Sequence, residues 1–120
     1  MIAVIFEARL MPGQSTSYLD AAAVLRPLLK DVPGFISIER FQSLADPEKL
    51  LSLSYWQDEE AVRQWRNVEA HRGIQLAGRE RIFADYRLTV AGVVRQYGKH
   101  DRAQAPQDSQ ARHGCPVHTG

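Results

Sequence analysis

At 120 residues, with 44% apolar and 24% charged side chains, the chain has room for one ordinary globular domain and for no second core. A formal charge of +1 carries no general basic character, and the single cysteine, Cys115, excludes an intrachain disulfide framework and fits a reducing compartment. No stretch reaches the roughly 18 consecutive apolar residues that span a bilayer, and the start MIAVIFEARL lacks a basic leader and cleavage site, so a cytoplasmic location without a membrane partner is expected.

Residues 2–10 alternate with period two. Ile2, Val4, Phe6, Ala8 and Leu10 share one face, and Glu7 and Arg9 lie on the other, which predicts a half-buried strand. Residues 11–14 make a turn, after which the hydroxyls of Ser15 to Ser17 offer N-caps for a helix. Tyr18, Ala21, Ala22, Leu25, Leu29 and Val32 form its apolar stripe. Pro27 removes one backbone donor inside it and predicts an irregularity near its last turns, and Pro33-Gly34 ends it.

Residues 35–44 and 50–56 read as a hairpin joined by the turn Ala45-Asp46-Pro47-Glu48. In the second of these strands Leu51, Leu53 and Tyr55 share one face, and Ser52, Ser54 and Trp56 the other. Asp58 caps a second helix running through Trp65, with Ala61, Val62 and Trp65 inward and a separate or bent helical segment over residues 67–78. Residues 87–97 alternate again as the last strand. The order β-α-β-β-α-β is the split βαβ arrangement of an α+β, ferredoxin-like sandwich.

Residues 1–98 form the predicted domain. Residues 99–120 carry almost no large apolar side chain, cannot offset their ordering entropy by burial, and read as a mobile polar tail. A lone sheet with helices on one face leaves the other bare. Glu7, Arg9, Ser37 and Glu39 make that face partly polar, while Phe35, Phe41, Val93 and Tyr97 need cover, so a symmetric homodimer is expected. The arginines Arg63, Arg66, Arg72, Arg79 and Arg81 are interleaved with Glu59, Glu60, Glu69 and Glu80, a solvated mixed face rather than a nucleic-acid surface.

No phosphate loop, paired-cysteine motif, His-Glu-x-x-His run or nucleophile elbow is present. The candidates for chemistry are therefore isolated side chains, each with a plain structural alternative. His71 shares a helical face with Gln75, and reads as an axial haem ligand, as a proton-handling group, or as a hydrogen-bonded surface histidine. Trp65, with Trp56 opposite, reads as the wall of a flat pocket or as core. Arg72 and Arg79 read as guanidinium forks for ligand carboxylates or as solvated charges. In the tail, Cys115 between His113 and His118 reads as a weak metal or haem-thiolate site or as disorder.

Four stretches, MIAVIFEA, PGFISIERFQSL, KLLSLSYWQDEEAVRQWRNVEAHRGIQLAGR and IFADYRLTVAGVVRQYG, resemble the antibiotic-biosynthesis-monooxygenase family, and within it the HmuQ-type haem-degrading subgroup. The resemblance covers residues 1–98 and implies a dimeric α/β barrel with one pocket per subunit between helices and sheet. It implies a monooxygenase, with haem as substrate or cofactor. In this reading Trp65 and His71 are the catalytic pair and His71 ligates iron. Arg72, Gln75, Arg79, Trp56 and Tyr55 contact the ligand. Family members of the IsdG type use a first-strand Asn, a second-helix Trp and a later His. Trp65 matches the Trp, Ala8 stands at the Asn position, and Gln75 stands at the His position, one helical turn beyond His71. The family also includes cofactor-free oxygenases of aromatic substrates, which leaves two alternatives open. One is oxidation of an aromatic or quinol by Trp65, His71 and Tyr55, and the other a non-catalytic dimeric binding module.

Overall fold

The computed structural model describes residues 1–72 and 82–108, with the side chains of 69–72 outside the description. Its elements follow the expected order: β1 (Ile2–Leu10), α1 (Ser15–Lys30), β2 (Phe35–Gln42), β3 (Lys49–Trp56), α2 (Glu59–Arg72) and β4 (Phe83–Gly92). The four strands form one sheet in the order β2-β3-β1-β4, antiparallel throughout. This is the ferredoxin-like α+β arrangement.

Register decides which side chains meet. Across the helix-covered face, Ile38, Ser54, Val4 and Val90 make one row, and Arg40, Ser52, Phe6 and Leu88 the next. Above these rows the core divides. Leu29, Val32, Trp56, Ala61 and Val62 pack at one end, joined by Ile2, Val4, Phe35, Ile38 and Trp65. Leu10, Tyr18 and Ile82 pack at the other, with Leu50 and Phe83. The row containing Arg40 lies between the two clusters.

Several element boundaries differ from the sequence expectation. The last strand begins at Phe83 and stops at Gly92, because its partner β1 extends only from Ile2 to Leu10; Val93 N–H makes the final bond, to Met1 O at 3.0 Å. Val93 and Tyr97 therefore lie beyond the sheet. Phe35 is on the helix side, edge-on to Trp56 at 5.2 Å, because an irregularity between Phe35 and Ser37 shifts the register. No serine caps α1, whose N-cap is Gln14 without a side-chain hydrogen bond. The helix also runs on through Pro27 to Lys30. The carbonyl that Pro27 cannot serve belongs to Ala23, an exposed residue, so the missing donor leaves no buried acceptor unpaired. The second helix continues past Trp65 to Arg72 without a break.

The β2–β3 turn is as expected and is held by its own side chains. Ser43 Oγ accepts from Ala45 and Asp46 N–H at 3.2 and 3.3 Å, and Asp46 Oδ1 accepts from Glu48 N–H at 3.0 Å. That backbone bond, with the Arg9 guanidinium beside it, holds the Asp46 carboxyl below the ordinary carboxylate range. Beyond β4, Gln96 N–H donates to Gln104 Oε1 at 2.6 Å, Arg102 lies over the Tyr97 ring, and Ala105 is buried. No helix among the described residues is long and apolar enough to cross a membrane.

Candidate functional site

A cavity of about 210 Å³ opens between the two helices and the sheet. It occupies the gap between the two halves of the core, and its walls follow from the periodicities of three elements. Along α1, Tyr18, Ala21, Ala22, Leu25, Arg26 and Leu29 recur at helical spacing and turn one stripe toward it. The small Ala21 and Ala22 leave the space that larger side chains would fill. Along α2, Val62, Trp65 and Arg66 do the same, and alternate residues of the strands form the floor.

Trp56 is the anchor of the floor and is 2% exposed. Its Nε1–H donates to Ser54 Oγ at 2.9 Å, and Ser54 Oγ–H in turn faces Val4 O at 3.4 Å. Both serines that alternate with the leucines of β3 therefore point inward, and one of them satisfies the buried indole. Trp65 lies over Trp56 with ring centroids 6.4 Å apart and a tilt of 33°. Phe6, Phe83 and Tyr86 make a second aromatic group, with Phe6 edge-on to Phe83 at 5.3 Å. The cavity is thus bounded by aromatic faces at both ends.

Its polar character is one-sided. Arg26, Arg40 and Arg66 line it, and among the described residues no carboxylate does. Arg26 and Arg66 are exposed on α1 and α2, at the opening, whereas Arg40 rises from the sheet and is largely covered. Its Nε is buried and has no hydrogen-bond partner among the described residues. Leaving a buried donor unpaired costs about 1–3 kcal/mol, and more for a charged group.

The sequence-derived candidates divide accordingly. Trp56 and Trp65 are brought together as two walls of the cavity. Tyr55 is not brought to it: strand alternation puts Tyr55, with Leu51 and Leu53, on the face away from the helices. His71 and Arg72 lie on α2, but their side chains are outside the described residues, as are Gln75 and Arg79 entirely. The same is true of His113, Cys115 and His118. No cluster of three or more metal-ligating side chains occurs among the described residues.

Arg40 is a lining residue that the sequence pattern does not single out, although alternation ties it to Ile38. In FISIERFQ it shares parity with Ile38, the apolar residue that turns inward, so a charge there faces the core. Ser52 and Ser54, sharing parity with Trp56, carried the same signal. Tyr18 belongs to the apolar stripe of α1 and also lines the cavity.

Comparison with known proteins bears on this site. The sequence model described as antibiotic biosynthesis monooxygenase matches residues 1–76. A jasmonate monooxygenase from Pyricularia oryzae is 44% identical over 93 residues, which are 78% of this chain and 43% of that one. The chain thus spans less than half the length of that relative. The uncharacterised protein YqjZ of Bacillus subtilis is 32% identical over 94 residues, covering 78% of this chain and 80% of YqjZ. Among solved structures, the cofactor-independent oxygenase SnoaB of Streptomyces nogalater superposes with a TM-score of 0.68 at 10% identity, over 79% of this chain and 94% of that one. At that identity the likeness is one of fold.

Proposed function

The chain belongs to the antibiotic biosynthesis monooxygenase family, and on that premise we propose that it oxygenates a compact, electron-rich aromatic molecule without a cofactor of its own. The observation that carries this reading is the cavity itself, about 210 Å³, walled by Phe6, Trp56, Trp65 and Tyr86. Pockets for drug-sized ligands run from about 300 to 1,000 Å³, so the volume favours a compact substrate over a tetrapyrrole. SnoaB, alike in fold, is a cofactor-independent oxygenase.

The chemistry balances without an external reductant. A phenol with an open para position loses its hydroxyl proton, and the phenolate gives electrons to dioxygen. A carbon–oxygen bond forms at the para carbon, and the oxygen–oxygen bond then breaks. The products are a quinone and water. One oxygen atom enters the ring, the other leaves as water, and all four electrons come from the substrate. The aromatic walls exclude water from the anion and hold the ring flat. In this proposal Trp65, on the cavity wall beside Trp56, donates its Nε1–H to the substrate oxygen.

The haem-degrading reading of the HmuQ type rests on His71, with Arg72, Gln75 and Arg79, all outside the described side chains. Among the described residues that line the cavity there is no His, Cys or Met; the iron-ligating side chains there are the phenols of Tyr18 and Tyr86. The described lining therefore offers haem iron no imidazole, thiolate or thioether. Oxygen uptake with a panel of electron-rich phenols, beside a hemin titration, tests the proposal. Uptake of one dioxygen per substrate is expected, falling at least roughly tenfold in Trp65→Ala, the loss of about 1.4 kcal/mol of transition-state binding. A Soret band that His71→Ala abolishes, with no uptake from any phenol, overturns it in favour of haem.

A further inference from the structure

The geometry points to a carboxylate-recognition site at Arg40, so that the molecule bound in the cavity is an amphipathic acid: an apolar body against Phe6, Trp56 and Trp65, with its anionic head on Arg40. This deepens the oxygenase reading by naming the substrate class, and it rests on that reading only for what happens to the acid afterwards.

Three observations carry it. The first is charge: Arg26, Arg40 and Arg66 line one cavity, and no carboxylate among the described residues lines it with them. Two other described arginines meet counter-ions locally, Arg9 with Asp46 and Arg63 with Glu60. The second is a buried donor, Arg40 Nε, which has no hydrogen-bond partner among the described residues. The third is position. Arg40 stands in the row Arg40, Ser52, Phe6, Leu88, which crosses the cavity floor between the two core clusters. Along that row the floor passes from a guanidinium through a hydroxyl to purely apolar side chains. A ligand polar at one end and apolar at the other matches that gradient.

A carboxylate suits the site better than a phosphate. The edge of a guanidinium presents Nε–H and one Nη–H in parallel, the spacing of two carboxylate oxygens. A dianion would lose more hydration on entering a cavity with mainly apolar walls. Arg26 and Arg66, exposed on the two helices above, supply a positive field at the entrance that draws anions inward.

The chain has two tryptophans, Trp56 and Trp65, and both line the cavity, so intrinsic fluorescence reads binding directly. The experiment titrates octanoate and methyl octanoate into the full chain, its Arg40→Met and Arg40→Lys variants, and Arg26→Met and Arg66→Met. For the unaltered chain, octanoate is expected to bind at least roughly tenfold tighter than its ester, a difference that shrinks as salt is raised. Arg40→Met removes the preference while leaving ester affinity in place, and Arg40→Lys restores part of it. Equal affinity for acid and ester in the unaltered chain overturns the inference. So do binding of neither probe and an acid preference that survives in a folded Arg40→Met. Should Arg40→Met fail to fold by circular dichroism, the decision passes to the salt-sensitive acid preference of the unaltered chain and its reduction in Arg26→Met and Arg66→Met. Oxygen uptake is a separate measurement. Acid preference without oxygen uptake by any substrate removes the oxygenase reading alone, and uptake of neutral phenols without acid preference removes this inference alone.

Discussion

Gly34 carries two constraints in one residue. Its φ is +89°, in the left-handed region, and a Cβ built there would lie 2.9 Å from the Cβ of Ala61 on α2. Its carbonyl also accepts the N–H of Gln57 at 2.7 Å, tying the end of α1 to the approach of α2. Gly13 has a similar φ of +78° with nothing within 4 Å, and so separates the two effects. Gly13→Ala is expected to cost the backbone strain alone, about 1–3 kcal/mol. Gly34→Ala should cost measurably more, because Ala61 must also move, and urea denaturation of the two variants measures the difference. Equal losses would mean that α2 yields freely and that Ala61 places no limit on the approach.

At the scale of elements, α2 is the better-defined helix start. Asp58 Oδ1 accepts the N–H of Ala61 at 2.9 Å, and Glu59 and Glu60 complement the positive end of the helix dipole. Glu60 also accepts from the Arg63 guanidinium, which depresses the carboxyl and raises the arginine. Because α2 carries Val62, Trp65 and Arg66 into the cavity, its first turn controls the cavity roof. Asp58→Ala is expected to cost about 1 kcal/mol. Faster amide exchange at Ala61 and the residues following it, with β1 and β3 unchanged, checks that the loss is local. The capping of α2 by Asp58 was readable from the chain, whereas the serine caps expected for α1 were not formed. A cap needs the chain to enter the helix at a set angle, and the turn at residues 11–14 starts α1 with Gln14 as its N-cap.

For the whole molecule, the decisive surface is the face of the sheet away from the helices. Ile5, Leu51, Leu53 and Tyr55 sit on it, half-buried, beside exposed Phe41. Glu7, Glu39 and Arg87 interrupt them, so the face is mixed rather than wholly apolar. Pairing two such faces about a twofold axis covers the apolar centre and lets the charges meet at its border. We expect a homodimer by light scattering at micromolar concentration, and a folded monomer on Leu53→Glu, which buries a charge at the centre of the contact. A monomeric unaltered chain would place the cover for this face elsewhere.

Strands with one buried face announce themselves, since burial every second residue leaves a period that nothing else in a chain produces. The strand at residues 2–10 and the grouping of Ser52, Ser54 and Trp56 on one face were readable on that ground, and the helical stripes of α1 and α2 supplied the rest of the element order. Tyr55 followed from the same alternation but was assigned to the wrong side, because parity says which residues share a face and not which face is covered. The tertiary structure decided that. It decided the ends of the last strand, through the length of its neighbour β1. It placed Phe35 against Trp56, through one irregular pairing. It also brought Arg26, Arg40 and Arg66, from a helix, a strand and a second helix, around a single cavity. Periodicity is a local property carried by adjacent residues, whereas a cavity belongs to elements that meet only after the chain has folded.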